Sequence, residues 1–186
     1  MYFSHNYLII IFFLFSISLN DTYLCYSLLM KKVFTFTAKN LEDTNLLASK
    51  FAKQFEGTGA FVCLYGDIGA GKTAFTKQVA KYLDVKEKVT SPSFVIINEY
   101  LSGKLPVYHF DLYRLEQEGV HTIIDELTEY SRDGVLTMVE WAEFSDVDLP
   151  FDRVEIRISY IDETERVFDF YADGDEYISK LERISF

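Results

Sequence analysis

The chain has 186 residues, 49% of them hydrophobic and 25% charged, which excludes collagen-like, low-complexity and wholly disordered classes and leaves one compact domain as the expectation. Eighteen basic against 29 acidic residues give a formal charge of -11, so an unaided grip on tRNA or DNA would need a basic patch, and the sequence has none. Cys25 and Cys63 lie far apart in apolar surroundings, without histidines at metal-ligand spacing, which excludes a disulfide scaffold or a zinc fold. Cys63 reads as a buried strand residue in a reducing compartment.

Residues 1–29 carry eight aromatics and a single charge, Asp21, whereas all the basic residues follow Met30. The apolar stretch from Tyr7 to Leu19 is short for a bilayer span, and no Lys or Arg precedes it as a secretory signal requires. We read 1–29 as an apolar N-terminal extension outside the native domain, which then covers 30–186 and starts at Met30. A membrane anchor with Lys31 and Lys32 on the cytoplasmic side is the second reading of this segment, the less favoured one.

From Met30 the elements come in order. Val33 to Thr37 alternates like a half-buried strand, and Asn40 caps a helix with Leu47, Phe51 and Phe55 at four-residue spacing and Asp43 in its first turn. Gly57 and Gly59 precede Ala60 to Tyr65, an uninterrupted apolar run that predicts a strand covered on both faces of a parallel sheet. A glycine-rich loop follows. Phe75, Val79, Tyr82 and Leu83 then keep a helical period until Asp84, and Pro92 interrupts before an extended stretch from Phe94 to Leu101. After a turn at Ser102 and Gly103, Val107 to Asp111 is a short strand ending in an acid. Glu116 to Tyr130 is helical and acidic, and Val135 to Glu140 is a second apolar strand ending in an acid. Two alternating strands, Val154 to Ile161 and Val167 to Tyr171, turn at Asp162 and Glu163, and a short helix near Tyr177 to Ile184 closes the chain.

The loop Gly66, Asp67, Ile68, Gly69, Ala70, Gly71, Lys72, Thr73 is a complete G-x-x-x-x-G-K-S/T motif between a buried strand and a helix. Its glycines let successive N–H groups turn inward, and the helix start adds partial positive charge, so the cavity suits two or three phosphates. Lys72 then reaches the β- and γ-phosphates, and the Thr73 hydroxyl is a ligand for Mg²⁺, which prefers oxygen and keeps waters. Such a loop needs an acid at the end of a neighbouring strand. Glu140, after Val135 to Val139, is the favoured metal acid. Asp111 would sit near the same crevice, to orient or deprotonate attacking water or to bind the metal through water. For either acid the bland reading is a cap on the element that follows.

Three further features stay open at this level. Thr90, Ser91, Pro92, Ser93 lies where nucleotide switches set a hydroxyl over the γ-phosphate, Thr90 being our candidate, but the set is also ordinary turn chemistry. Trp141, the only tryptophan, follows Glu140 and is read as packing near the nucleotide, as a partner anchor, or as core. His109 is as well explained by a satisfied strand histidine as by catalysis, and Asp125, Glu126 and Glu129 by a solvated helix face.

Taken together, GDIGAGKT at 66–73, TSPSF at 90–94, YHFDLYRL at 108–115 and VEW at 139–141 resemble the TsaE family of bacterial tRNA threonylcarbamoyladenosine (t6A) biosynthesis, over about Met30 to Ile161. The resemblance implies an α/β P-loop NTPase three-layer fold, with a mostly parallel central sheet and antiparallel C-terminal strands. It implies a cytoplasmic, Mg²⁺-dependent ATPase whose slow hydrolysis is stimulated by the TsaB and TsaD subunits and resets their complex between rounds of transfer, with tRNA met only through that complex. On this resemblance Gly66, Asp67, Gly69, Ala70, Gly71, Lys72, Thr73, Thr90 and Trp141 accompany ATP, Thr73 and Glu140 the metal, and Asp111 is the catalytic carboxylate. Ser93 where Thr is common, and Ala74 in place of a frequent hydroxyl, depart from the family pattern conservatively. A small-molecule kinase using the same loop is the main rival, although no long lid insertion is evident. A GTPase fits less well, because no Asn-Lys-x-Asp tetrad is present.

Overall fold

A computed structural model describes residues 30–115, 127, 129–144, 149–150 and 152–186. The expectations for 1–29, including Cys25, and for the helix and acidic residues within 116–126 lie outside the described residues. Asn40 accepts from the Asp43 amide at 2.9 Å, and the Asp43 carboxylate accepts from the Lys39 amide at 2.8 Å, a reciprocal cap at the entry to α1 (Leu41–Phe55). The buried face of α1 runs through Leu47, Phe51 and Phe55.

One seven-stranded sheet forms the centre, built from β1 (Lys31–Ala38), β2 (Gly59–Tyr65), β3 (Ile97–Tyr100), β4 (Val107–Asp111), β5 (Val135–Glu140), β6 (Val154–Tyr160) and β7 (Arg166–Ala172) in the spatial order β1-β7-β6-β2-β5-β4-β3. β2 runs parallel to both β5 and β6, and β5 parallel to β4. The pairs β3–β4 and β6–β7 are antiparallel. Because side chains alternate across a strand, β2 feeds two cores. Val62 and Leu64 pack with α1, with α2 (Lys72–Tyr82) and with Leu181 of α3 (Asp175–Glu182), whereas Phe61 and Cys63 pack with Phe110, Leu112, Leu127 and Val139 on the other face. This is the mostly parallel α/β sheet expected, with the C-terminal strands β6 and β7 antiparallel.

Two local expectations are corrected. The extended stretch does not begin at Phe94: the Pro92 carbonyl accepts from the amides of Val95 and Ile96, at 2.8 and 2.7 Å, and curls the chain so that β3 starts only at Ile97. Phe94 is left exposed. Tyr82 keeps the helical period but faces solvent, while Phe75, Val79 and Leu83 are buried. Among the described residues no helix is long and apolar enough to cross a membrane.

Parallel register brings strand ends together. Asp111 is the partner of Glu140 across β4 and β5, and Glu140 is the partner of Leu64 across β5 and β2, so both acids stand beside the loop that leaves β2. Ligand crevices of open α/β sheets form at this edge.

Candidate functional site

The loop after β2 is held by steric necessity. Gly66 has φ +136°, and a Cβ there would lie 2.2 Å from the Ile158 carbonyl oxygen. Gly71 is the N-cap of α2 at φ +114°; it offers no side chain to the first amides, and no acid stands in the first turn. The start of α2 therefore has amides that no cap side chain takes up, the property that makes helix starts bind anions.

Lys72 is nearly fully buried. Its Nζ donates to the carbonyls of Gly66 and of Asp67, the latter at 3.1 Å, and lies 3.6 Å from the centroid of the Trp141 ring. Burial pulls the Lys72 ammonium below its usual pKa, against the upward pull of Glu140, Glu143, Asp111 and Asp67. Trp141 adopts φ +60° and packs its ring against Tyr113 and Phe144, with centroids 5.0 and 5.8 Å away. The indole lies across the lysine and also packs, half-buried, against the core on the Phe61 and Cys63 face.

Thr73 Oγ1 donates to Glu140 Oε2 at 3.0 Å, and Glu140 Oε1 lies 2.7 Å from His109 Nε2. Asp111 is equally enclosed: Ser91 Oγ donates to its Oδ2 at 2.8 Å, Ser93 Oγ donates to the same oxygen, and the Tyr113 amide donates to Oδ1 at 3.1 Å. A cavity of about 380 Å³ opens between these groups, lined by Asp67, Gly69, Gly71, Lys72 and Thr73 of the loop, by both acids, and by Ser91, Ser93 and Trp141.

Three candidate residues stand elsewhere. Thr90 is exposed and outside this cavity: its amide donates to the Tyr100 hydroxyl at 3.2 Å and its carbonyl accepts from Asn98 at 3.1 Å, so β3 holds it, and the loop offers Ser91 and Ser93 to the site instead. Ala70 is buried in the helix-side core and its amide donates to the Asp67 carbonyl at 3.1 Å. Gly66 contributes its carbonyl to Lys72 without lining the cavity.

Sequence reasoning missed a second cavity of about 330 Å³, on the other side of the loop, where Asn40 and Thr44 of the α1 entry face Arg166 and Phe168 of β7. Gly69, Gly71 and Ala74 line both cavities, so one ligand could straddle the start of α2. No motif pointed to it, because its walls come from the α1 entry and β7, far from the loop in sequence.

The donor set near Thr73 consists of hydroxyl and carboxylate oxygens, and among the described residues no group of three or more His, Cys, Asp or Glu could cage a metal. That chemistry suits Mg²⁺, a hard cation that takes few protein ligands and fills its shell with water and phosphate oxygens. It does not suit Zn²⁺.

A strand, a glycine-rich loop and an uncapped helix, with acids from two neighbouring parallel strands, define a protein of the P-loop NTPase fold. The family model for the threonylcarbamoyl adenosine biosynthesis protein TsaE matches residues 38–168. The chain belongs to the TsaE family. The tRNA threonylcarbamoyladenosine biosynthesis protein TsaE of Bacillus subtilis is 40% identical over 78% of this chain and 90% of that protein. Its counterpart in Aquifex aeolicus is 38% identical over 70% of this chain and 90% of its own length. The crystal structure of Bacillus subtilis YdiB superposes with a TM-score of 0.66 at 36% identity, covering 82% of this chain and 93% of that one.

Proposed function

We propose that the chain is the Mg²⁺-dependent ATPase subunit of the machinery that makes t6A in tRNA, working in the cytoplasm, with hydrolysis supporting turnover of a TsaB–TsaD complex. The observation that carries this reading is the Thr73–Glu140 hydrogen bond at the uncapped start of α2, beside Lys72 and Asp111 in one cavity. Membership of the TsaE family supports the pathway.

In this reading the free amides of the loop hold the phosphates, and Lys72 leaves the Gly66 and Asp67 carbonyls to meet the terminal one. Bound Mg²⁺ would neutralise phosphate charge, held by Thr73 and, through water, by Glu140. Asp111, released from Ser91 and Ser93, orients the attacking water and accepts its proton. The adenosine end lies in the second cavity, with Asn40 and Thr44 offering hydrogen bonds and Arg166 a flat cation. A chain of charge -11 would leave tRNA to its partners.

The test is ATP turnover by the chain alone and with TsaB and TsaD. Slow basal hydrolysis that rises on adding the partners is expected. Failure to bind ATP, or transfer of the γ-phosphate to a small metabolite as the kinase rival demands, overturns the reading.

A further inference from the structure

Buried at full depth beside the acid of β5, His109 has a ring nitrogen that no described residue pairs. Its side chain is wholly enclosed, Nε2 meets Glu140 Oε1 at 2.7 Å, and Nδ1 has no hydrogen-bond partner among the described residues. Most buried polar atoms are hydrogen-bonded, because an unpaired one costs free energy. An apolar residue at this position would leave Glu140 Oε1, itself buried, without that partner. Core packing alone does not explain the unpaired Nδ1, and what the residue does in this place is set by its geometry toward Glu140.

We infer that His109 is a positioning residue that fixes the orientation of the Glu140 carboxylate for the divalent cation, an inference that rests on the nucleotide-and-metal reading above. Alternation along β4 puts Val107, His109 and Asp111 on one face, and the β4–β5 register sets Asp111 opposite Glu140, so His109 reaches Glu140 diagonally across the pair. An ionised carboxylate only accepts, so Nε2 carries the proton and Nδ1 is bare. Nδ1, with no described partner to receive a hydrogen, is the acceptor nitrogen of the ring. With Oε1 held by His109, Oε2 is the oxygen turned toward Thr73, and the carboxylate cannot rotate away without breaking the imidazole bond. Groups that orient a metal-binding side chain from behind act in this way, and their loss lowers metal affinity by about 10- to 100-fold.

Two measurements test this. In the wild type, ¹⁵N NMR of the imidazole assigned to His109 should show a protonated Nε2 and a bare Nδ1; the opposite tautomer overturns the proposal whether or not any variant folds. The second is Mn²⁺ affinity, followed by electron paramagnetic resonance in saturating ADP, for His109→Leu, which keeps bulk without a donor, and His109→Gln, which keeps a donor. Leu should weaken Mn²⁺ by roughly tenfold and Gln should restore it, while ADP affinity in EDTA stays unchanged in both. Equal Mn²⁺ affinity in the two variants, or parallel loss of Mn²⁺ and of metal-free ADP binding, overturns it. A wild type that binds ADP but no Mn²⁺ defeats the underlying metal reading instead, and His109 with it.

Discussion

Gly59 and Gly66 bracket β2, and each lets a backbone approach that a methyl group would block. A Cβ on Gly59, at φ +73°, would lie 1.8 Å from the Val135 carbonyl oxygen, and one on Gly66 would lie 2.2 Å from that of Ile158. Gly69, at φ +80°, has nothing within 4 Å, so only its dihedral resists a side chain. Gly66→Ala should therefore cost about 3 kcal/mol, and Gly69→Ala about 1 kcal/mol, in chemical denaturation; equal losses would refute the steric account. Lys72 gives a second contrast. Its folded-state pKa is depressed by burial, so the unfolded chain binds more protons between the folded value and the usual 10.5, and the lysine's penalty fades as pH rises through that window. In melts from neutral pH towards pH 10, Lys72→Met should lose ground steadily against the wild type, and a pH-independent difference would sink this assignment. The same variant should abolish the tryptophan fluorescence change on adding nucleotide, since Lys72 lies over Trp141.

At the scale of elements, the α1 cap combines two bonds, Asp43 N–H to Asn40 and Lys39 N–H to Asp43. Asn40→Ala should cost about 1 kcal/mol in denaturant titration, and because Asn40 also lines the second cavity it should weaken nucleotide binding beyond that loss of stability. This cap was legible in the sequence because its partners are three and four residues apart. The β2–loop–α2 unit was legible for the same reason: an apolar run, a glycine motif and a helical period follow one another along the chain. What needed tertiary structure was not. Three adjacent hydroxyls, Thr90, Ser91 and Ser93, are equivalent on paper, and only Asn98 and Tyr100, which claim the Thr90 backbone, decide that the two serines face Asp111. The apolar letters of Phe94 to Ile96 suggested strand, but Pro92 captures two of the amides that a strand would need for its ladder. His109 was left open because its meaning lies in one carboxylate on another strand.

For the whole molecule, the two cavities make a prediction that separates phosphate recognition from base recognition. Both open on the start of α2, yet one is built from β4 and β5 and the other from the α1 entry and the β6–β7 pair, so a nucleotide that fills both ties opposite sides of the sheet to the loop. Binding only the folded state stabilises it by about 2.7 kcal/mol at a ligand concentration 100 times Kd, which for a chain of this size raises Tm by roughly 5 to 11 °C. A non-hydrolysable ATP analogue with Mg²⁺ should give a shift of that order, and inorganic triphosphate with Mg²⁺ a distinctly smaller one at the same concentration. Arg166→Ala, which touches the second cavity and the β6–β7 turn but not the first cavity, should bring the analogue's shift down towards that of triphosphate, each measured against the variant's own unliganded Tm, while leaving the triphosphate shift intact. If triphosphate alone matches the analogue in the wild type, the second cavity plays no part in binding and the base must be held elsewhere.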